Sequence, residues 1–216
     1  FNQDIDNFIK VKKYPYEIQK NIPALPRLNY NIVLLLSVLL TEHRFRIMQL
    51  ISEKNSAPSS TLSVGCGSGL ELYILNSESK ILDAYDLEID SDIIDINRNV
   101  NFREEYYTSL STNKYDEIFL IEILEHLKDP LDLLKICKNS LNEAGKIHVT
   151  TATDVPQFDH LYNFSSDHVS FENGIYSLGL DILFYEDIPH NYIVSSIQSK
   201  NRYYILSWNQ KKIPTF

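Results

Sequence analysis

Residues 61–70 read Thr-Leu-Ser-Val-Gly-Cys-Gly-Ser-Gly-Leu. An apolar run that breaks into glycines alternating with small residues predicts a buried strand, a tight turn and the start of a helix. Glycines at 65, 67 and 69 let the backbone approach a ligand and aim amide N–H groups at it. The Leu-Glu-Leu-Tyr-Ile-Leu of residues 70–75 supplies the helix. Asp86 then closes the next apolar run, at about the 20-residue spacing expected of a ribose-binding carboxylate. Together these are the parts of a nucleotide cradle.

The segment resembles the first motif of class I S-adenosylmethionine-dependent methyltransferases, an acidic residue followed by three alternating glycines. Ser63 stands where that family has the acid, so it can hydrogen-bond but brings no charge. A second stretch, Tyr115-Asp-Glu-Ile-Phe-Leu-Ile-Glu-Ile-Leu-Glu-His-Leu-Lys-Asp-Pro130, resembles the fourth-strand motif of the quinone-biosynthesis O-methyltransferases and their small-molecule relatives. With residues 141–145 before a fifth strand, the resemblance spans roughly 60–151. It implies S-adenosylmethionine as cofactor and S-adenosylhomocysteine as product. The methionine end would lie along Ser63, Gly65, Cys66, Gly67 and Gly69, with Glu122 nearby. Asp86, with Leu87 beside it, would take the ribose hydroxyls, and Glu104 or Glu105 would lie near the adenine. Read locally, Asp86 is also a helix cap, and Glu125 and His126 have ordinary roles available in a turn.

The fold class expected is α/β and Rossmann-like: a mostly parallel seven-stranded sheet, helices on both faces, and an N-terminal helical appendage over residues 1–58 ahead of a catalytic domain at 59–216. Strands are expected at 60–65, 80–86, 99–103, 115–121 and 145–151, with helices near 69–76, 90–97 and 130–141. Beyond residue 155 come an aromatic, histidine-bearing loop, a short helix at 172–178, and three β-rich pieces at 181–186, 191–197 and 202–208. Two of those three would complete the sheet as a hairpin. Upstream, residues 28–54 read as one long helix, apolar nearly all round through Leu40, which therefore needs covering on all sides and suits a lid over the substrate pocket.

Composition narrows the function classes. The 216 residues carry a formal net charge of −9, which disfavours nonspecific nucleic-acid binding. Two cysteines, Cys66 and Cys137, imply no disulfide framework and fit a reducing cytoplasm. The apolar run at 32–40 is too short to insert in a bilayer, where a span takes about 20 residues. The oligomeric state is not legible.

The expected partner is a small-molecule acceptor methylated at O or N. Its pocket would be walled by the appendage and by Phe158, Tyr162, Phe164 and Phe171, unless those aromatics pack in the core. His126, His160 and His168 are candidate bases, with His168 favoured beside Asp167 and His126 second. His148 alternates within a strand and reads as structural; His43 and His190 have no supporting context. No metal is expected on this reading. An alternative is a metal-assisted RNA 2'-O-methyltransferase with Glu122, Glu125, His126 and His168 as ligands. A second alternative is a non-catalytic partner subunit keeping the fold without the acid at Ser63.

Overall fold

The computed structural model describes residues 27–76, 81–97, 99–108, 113–155, 160–162, 164, 168–190 and 199–209. Residues 1–26, the 191–197 piece, Phe158 and Asp167 lie outside them. Two helices, α1 (Arg27–Leu40) and α2 (Glu42–Lys54), precede β1 (Ser60–Val64). The glycine turn leads into α3 (Leu70–Leu75), followed by β2 (Ile81–Asp86), α4 (Ser91–Ile96), β3 (Asn101–Glu104) and β4 (Tyr115–Leu120). A 3-10 turn (Leu124–His126), α5 (Pro130–Asn139) and β5 (Leu141–Thr153) come next, then α6 (Val169–Ser177), β6 (Leu180–Pro189) and β7 (Lys200–Trp208).

The seven strands form one sheet in the order β3-β2-β1-β4-β5-β7-β6. The pairs from β3 through β5 are parallel, whereas β7 lies antiparallel between β5 and β6. The hairpin is therefore built from 180–189 and 200–208, with β7 inserted next to β5. Strand order reverses between β1 and β4, and ligands of open α/β sheets sit in the crevice beyond the carboxyl ends at such a switch point.

Alternation along the strands divides the core in two. Ile118 and Leu120 of β4, with Tyr204 and Leu206 of β7, face a cluster containing Leu134, Cys137, Phe171 and Ile175. Phe119, Tyr203 and Ile205 point the other way, onto Ile47, Leu50 and Ile51 of α2 and Leu72 and Leu75 of α3. Helix α2 thus belongs to the core of one sheet face. Fully burying such side chains stabilises by about 1.5–3 kcal/mol each.

The single long helix expected over 28–54 is instead broken at Thr41. That residue is extended (φ −126°, ψ 126°); its amide and hydroxyl both donate to the Ser37 carbonyl, at 2.8 and 2.5 Å. A β-branched residue bonding back to the last turn satisfies an orphan carbonyl and lets the chain change direction. Among the described residues Ile32, Leu35, Leu36, Leu39 and Leu40 of α1 are exposed, and the helix reaches over the sheet's carboxyl end instead of lying on a face.

The aromatic loop also departs from a pocket wall. Phe164 and Phe171 are buried in the sheet core beside Tyr204, with Tyr162 packed against them. Among the described residues, no helix is long and apolar enough to cross a membrane.

Candidate functional site

Two cavities open at the carboxyl ends of β1, β2 and β4. The larger, about 410 Å³, is bordered by Gly65 to Ser68, Glu71, Asp86, Glu122, Glu125, His126 and His160, roofed by Val33, Leu34 and Val38 of α1. The smaller, about 350 Å³, is mainly apolar and bordered by Tyr85, Leu87, Glu105, Tyr106, Leu127 and Ile136. Gly65, Asp86 and Ile123 border both.

The turn between them needs its glycines. Gly65, Gly67 and Gly69 all have positive φ. A Cβ on Gly65 would lie 2.7 Å from Ile123, and one on Gly69 would meet Ile93 at the same distance. Substitution would therefore drive the turn against Ile123 beyond β4 at Gly65 and against α4 at Gly69. Asp86 fastens this turn from the end of β2: its Oδ2 accepts the Gly67 amide at 2.7 Å and its Oδ1 the Leu87 amide at 2.7 Å. The helix that follows β2 is capped by Asp90, whose side chain accepts the Asp92 amide at 3.1 Å, and not by Asp86; the Asp86 carboxylate keeps acceptor capacity for a ligand beyond the two amides it holds. Of the two acids beyond β3, Glu105 borders the smaller cavity, while Glu104 accepts the Ile89 amide at 3.1 Å. Cys66 and Cys137 are free and buried.

Glu122 leaves the end of β4 with φ +54°, a left-handed conformation uncommon for a residue other than glycine and held only where its surroundings enforce it. Its amide donates to Thr150 Oγ1 at 2.7 Å, and that hydroxyl donates in turn to Glu122 Oε1 at 2.9 Å. Asn201 Nδ2 donates to the same oxygen, while Oε2 faces Arg44 Nη2 at 3.7 Å. Burial alone would raise its pKa, but Arg44 and then Thr150 outweigh that and hold the carboxyl below its ordinary value.

Behind Glu122, His43 of α2 and His190 after β6 stack with ring centroids 3.9 Å apart. His190 Nε2 donates to Asn201 Oδ1, and Ser199 Oγ lies 3.3 Å from Nδ1. Burial, then the neighbouring His190, pushes His43 down to about 4; burial lowers His190 also. This imidazole, amide and carboxylate chain was missed from sequence, because its members come from positions 43, 44, 122, 190 and 201.

On the opposite wall, Glu125, His126 and His160 bring ligand atoms within 4.8 Å of one another. The Glu125 carbonyl accepts the amides of Leu161 and Tyr162 at 2.8 and 3.0 Å, which fixes the loop carrying His160. The His126 and His160 rings meet edge to face at 5.2 Å. His168 does not join them. It caps α6 in a left-handed conformation, is 1% exposed, and faces Thr153 Oγ1 at 3.2 Å and the Tyr204 ring. The favoured base is thus displaced from the cavity because its backbone is spent starting α6. The ligand set with His168 is likewise not assembled; His160 takes that place. His148 is fully buried, stacked on Phe119, with Nδ1 2.7 Å from the Tyr203 hydroxyl.

Ser63 is 2% exposed and does not border the cavity. Its hydroxyl donates to Glu71 Oε1 at 2.8 Å. Glu71 does border the cavity and is itself 6% exposed. Burial, reinforced by Asp86, pushes its carboxyl up to about 7.

A family profile described as Methyltransferase domain matches residues 40–176, more than half of the chain. No curated protein matches. Among solved structures, the N-methyltransferase NodS of Bradyrhizobium japonicum in complex with S-adenosylhomocysteine superposes with a TM-score of 0.57 at 16% identity, covering 76% of this chain and 86% of that one. A S-adenosylmethionine-dependent methyltransferase of Clostridium acetobutylicum gives 0.55 at 14%, covering 76% and 89%. The [4+2]-cyclase SpnF gives 0.59 at 14%, covering 74% and 79%. At these identities the likeness is one of fold, and the cyclase is a reminder that this fold hosts more than one reaction.

Proposed function

The chain belongs to the methyltransferase-domain family, an enzyme family using S-adenosylmethionine, and from that premise we propose that it methylates an oxygen or nitrogen of a small-molecule acceptor. The observation that carries this reading is the pair of neighbouring cavities that share Gly65, Asp86 and Ile123 in their walls. The apolar one suits an adenine, with Leu87 and the tyrosines against the ring and Glu105 toward its amino group. Asp86 sits in the shared wall, where the ribose hydroxyls fall. The larger cavity has room for the methionine end along Gly65 to Gly69 and for an acceptor beyond it.

When bound, the cofactor supplies an electrophilic methyl on a sulfonium. The chain's part is then alignment, which can remove roughly 7–11 kcal/mol of barrier. Arg44 offers its guanidinium toward the methionine carboxylate, held in place by Glu122. The roof of α1 excludes water, and its aliphatic side chains with the His43–His190 stack give a wall for a compact acceptor. His126 and His160 are the imidazoles able to take the acceptor's proton, replacing His168 in that role. The acidic chain favours a small molecule over a nucleic acid, and the two buried cysteines outside any disulfide suit a cytoplasmic setting.

Calorimetry with S-adenosylhomocysteine tests the cofactor site: binding that Asp86→Ala weakens supports it, and binding indifferent to Asp86→Ala overturns the ribose assignment. A second reading, metal-assisted transfer, is favoured by the Glu125, His126 and His160 cluster, whose mixed oxygen and imidazole donors suit first-row divalent ions. Metal content of the purified protein, with transfer measured before and after chelation, separates the two.

A further inference from the structure

We propose that Glu71 carries the negative charge that the glycine motif lacks at Ser63, and that its carboxylate receives the ammonium group of the cofactor's methionine end. The inference rests on the cofactor placement above and adds a residue to it.

Ser63 and Glu71 form one unit. The buried serine does not border the cavity itself and donates its hydroxyl to Glu71 Oε1 at 2.8 Å. An aspartate at 63 would set a second carboxylate against the first, so a small hydroxyl donor is what Glu71 requires there. The charge has moved from the strand to the helix after the turn, and it borders the same cavity as Gly65, Cys66 and Gly67.

A carboxylate this buried ordinarily has a cation beside it. Among the described residues Glu71 has no ion-pair partner; the charged group acting on it is Asp86, whose like charge opposes ionisation. Among the described residues the guanidinium that borders the cavity, Arg44, faces Glu122 instead. A buried acid left near neutrality, turned toward a ligand cavity and lacking a counter-charge, is arranged for a cation that arrives with the ligand. Glu122 does not compete for it, since Oε1 already accepts Thr150 and Asn201 and Oε2 faces Arg44.

The test compares two probes, S-adenosylhomocysteine and 5'-methylthioadenosine. The second keeps adenine, ribose and sulfur but lacks the amino-acid group. A charge-assisted hydrogen bond lost from a buried site corresponds to an affinity loss of roughly ten- to hundredfold. Glu71→Gln is expected to lose that much for S-adenosylhomocysteine, while methylthioadenosine binds within about twofold of wild type, which also certifies the fold. Adding Ser63→Asp to Glu71→Gln returns the charge to the strand and is expected to recover most of the lost affinity.

Wild-type binding of S-adenosylhomocysteine should also strengthen as pH rises through about 7, where Glu71 ionises. Among the described residues the other charged or titratable groups on this cavity are Cys66, Asp86, Glu122, Arg44, His43, His190, Glu125, His126 and His160; a residual slope in Glu71→Gln belongs to them. If Glu71→Gln binds S-adenosylhomocysteine as tightly as wild type, or loses both probes equally, the inference is overturned while the cofactor site stands. If wild type binds neither probe, the cofactor placement itself fails, and the inference with it.

Discussion

The two halves of the cavity are encoded differently. The half proposed for the cofactor is assembled from neighbours in sequence: Gly65, Gly67 and Gly69 follow β1, Asp86 closes β2, and Glu122 leaves β4, all at the carboxyl ends of parallel strands. The half beyond Glu122 is assembled from strangers. His43 comes from a helix ahead of the sheet, His190 and Asn201 from the antiparallel hairpin that ends it, and His160 from a loop pinned to the Glu125 carbonyl. The first half is constrained by a backbone shape that any such cofactor demands. The second is free to vary with the acceptor, and apart from Glu125 and His126 it carries no motif.

The largest expected effect lies in the second half. A general base contributes about 10²- to 10⁴-fold, so His160→Ala or His126→Ala should slow single-turnover transfer by that order while cofactor binding holds. His168→Ala should leave the transfer rate within a few-fold and lower thermal stability. If His168→Ala alone abolishes transfer in a folded protein, the division of histidines drawn from the cavity is broken.

In the first half, Asp86→Ala removes both the ribose acceptor and the clamp on Gly67. Loss of a charged hydrogen-bonding group costs about 1.5–3 kcal/mol, so cofactor affinity should drop roughly ten- to hundredfold in calorimetry. His190→Ala, by contrast, should raise the acceptor KM several-fold and leave cofactor affinity nearly unchanged, since its link to Glu122 runs through Asn201. Equal effects of both substitutions on cofactor and acceptor would erase the distinction between halves.

A smaller effect concerns stability. Glu71 holds a proton in the folded state up to about pH 7, whereas an unfolded glutamate releases it near pH ~4.3. The folded state therefore binds more protons across that window, and stability falls as pH rises through it. Glu71→Gln without cofactor should be more stable than wild type at pH 8 by on the order of 3–4 kcal/mol. At pH 4 the difference should vanish. Melting curves at the two pH values check this, and an unchanged difference between them would remove the buried charge from the account.

What was legible follows from the same contrast. The glycine turn, the alternating strands and the β4 motif fix the sheet because each is written in consecutive residues. The break at Thr41 was invisible because apolar residues continue on both sides of it; only the hydroxyl turning back on Ser37 ends the helix. The aromatic loop was ambiguous because Phe164 and Phe171 serve a pocket or a core equally well until β7 brings Tyr204 beside them. Asp167 gave His168 a plausible partner in sequence, yet the residue's left-handed backbone commits it to starting α6. The Ser63–Glu71 exchange was half legible: the missing acid was plain, and its replacement eight positions on needed the helix to bring the two together.

The most direct test of the neighbouring cavities is a crystal structure grown with saturating S-adenosylhomocysteine. The account predicts adenine in the cavity of Leu87, Glu105 and Ile123, ribose hydroxyls on Asp86, and the methionine ammonium within hydrogen-bonding distance of Glu71. A ligand bound with its ribose away from Asp86, or a saturated crystal with both cavities empty of ligand, would contradict it.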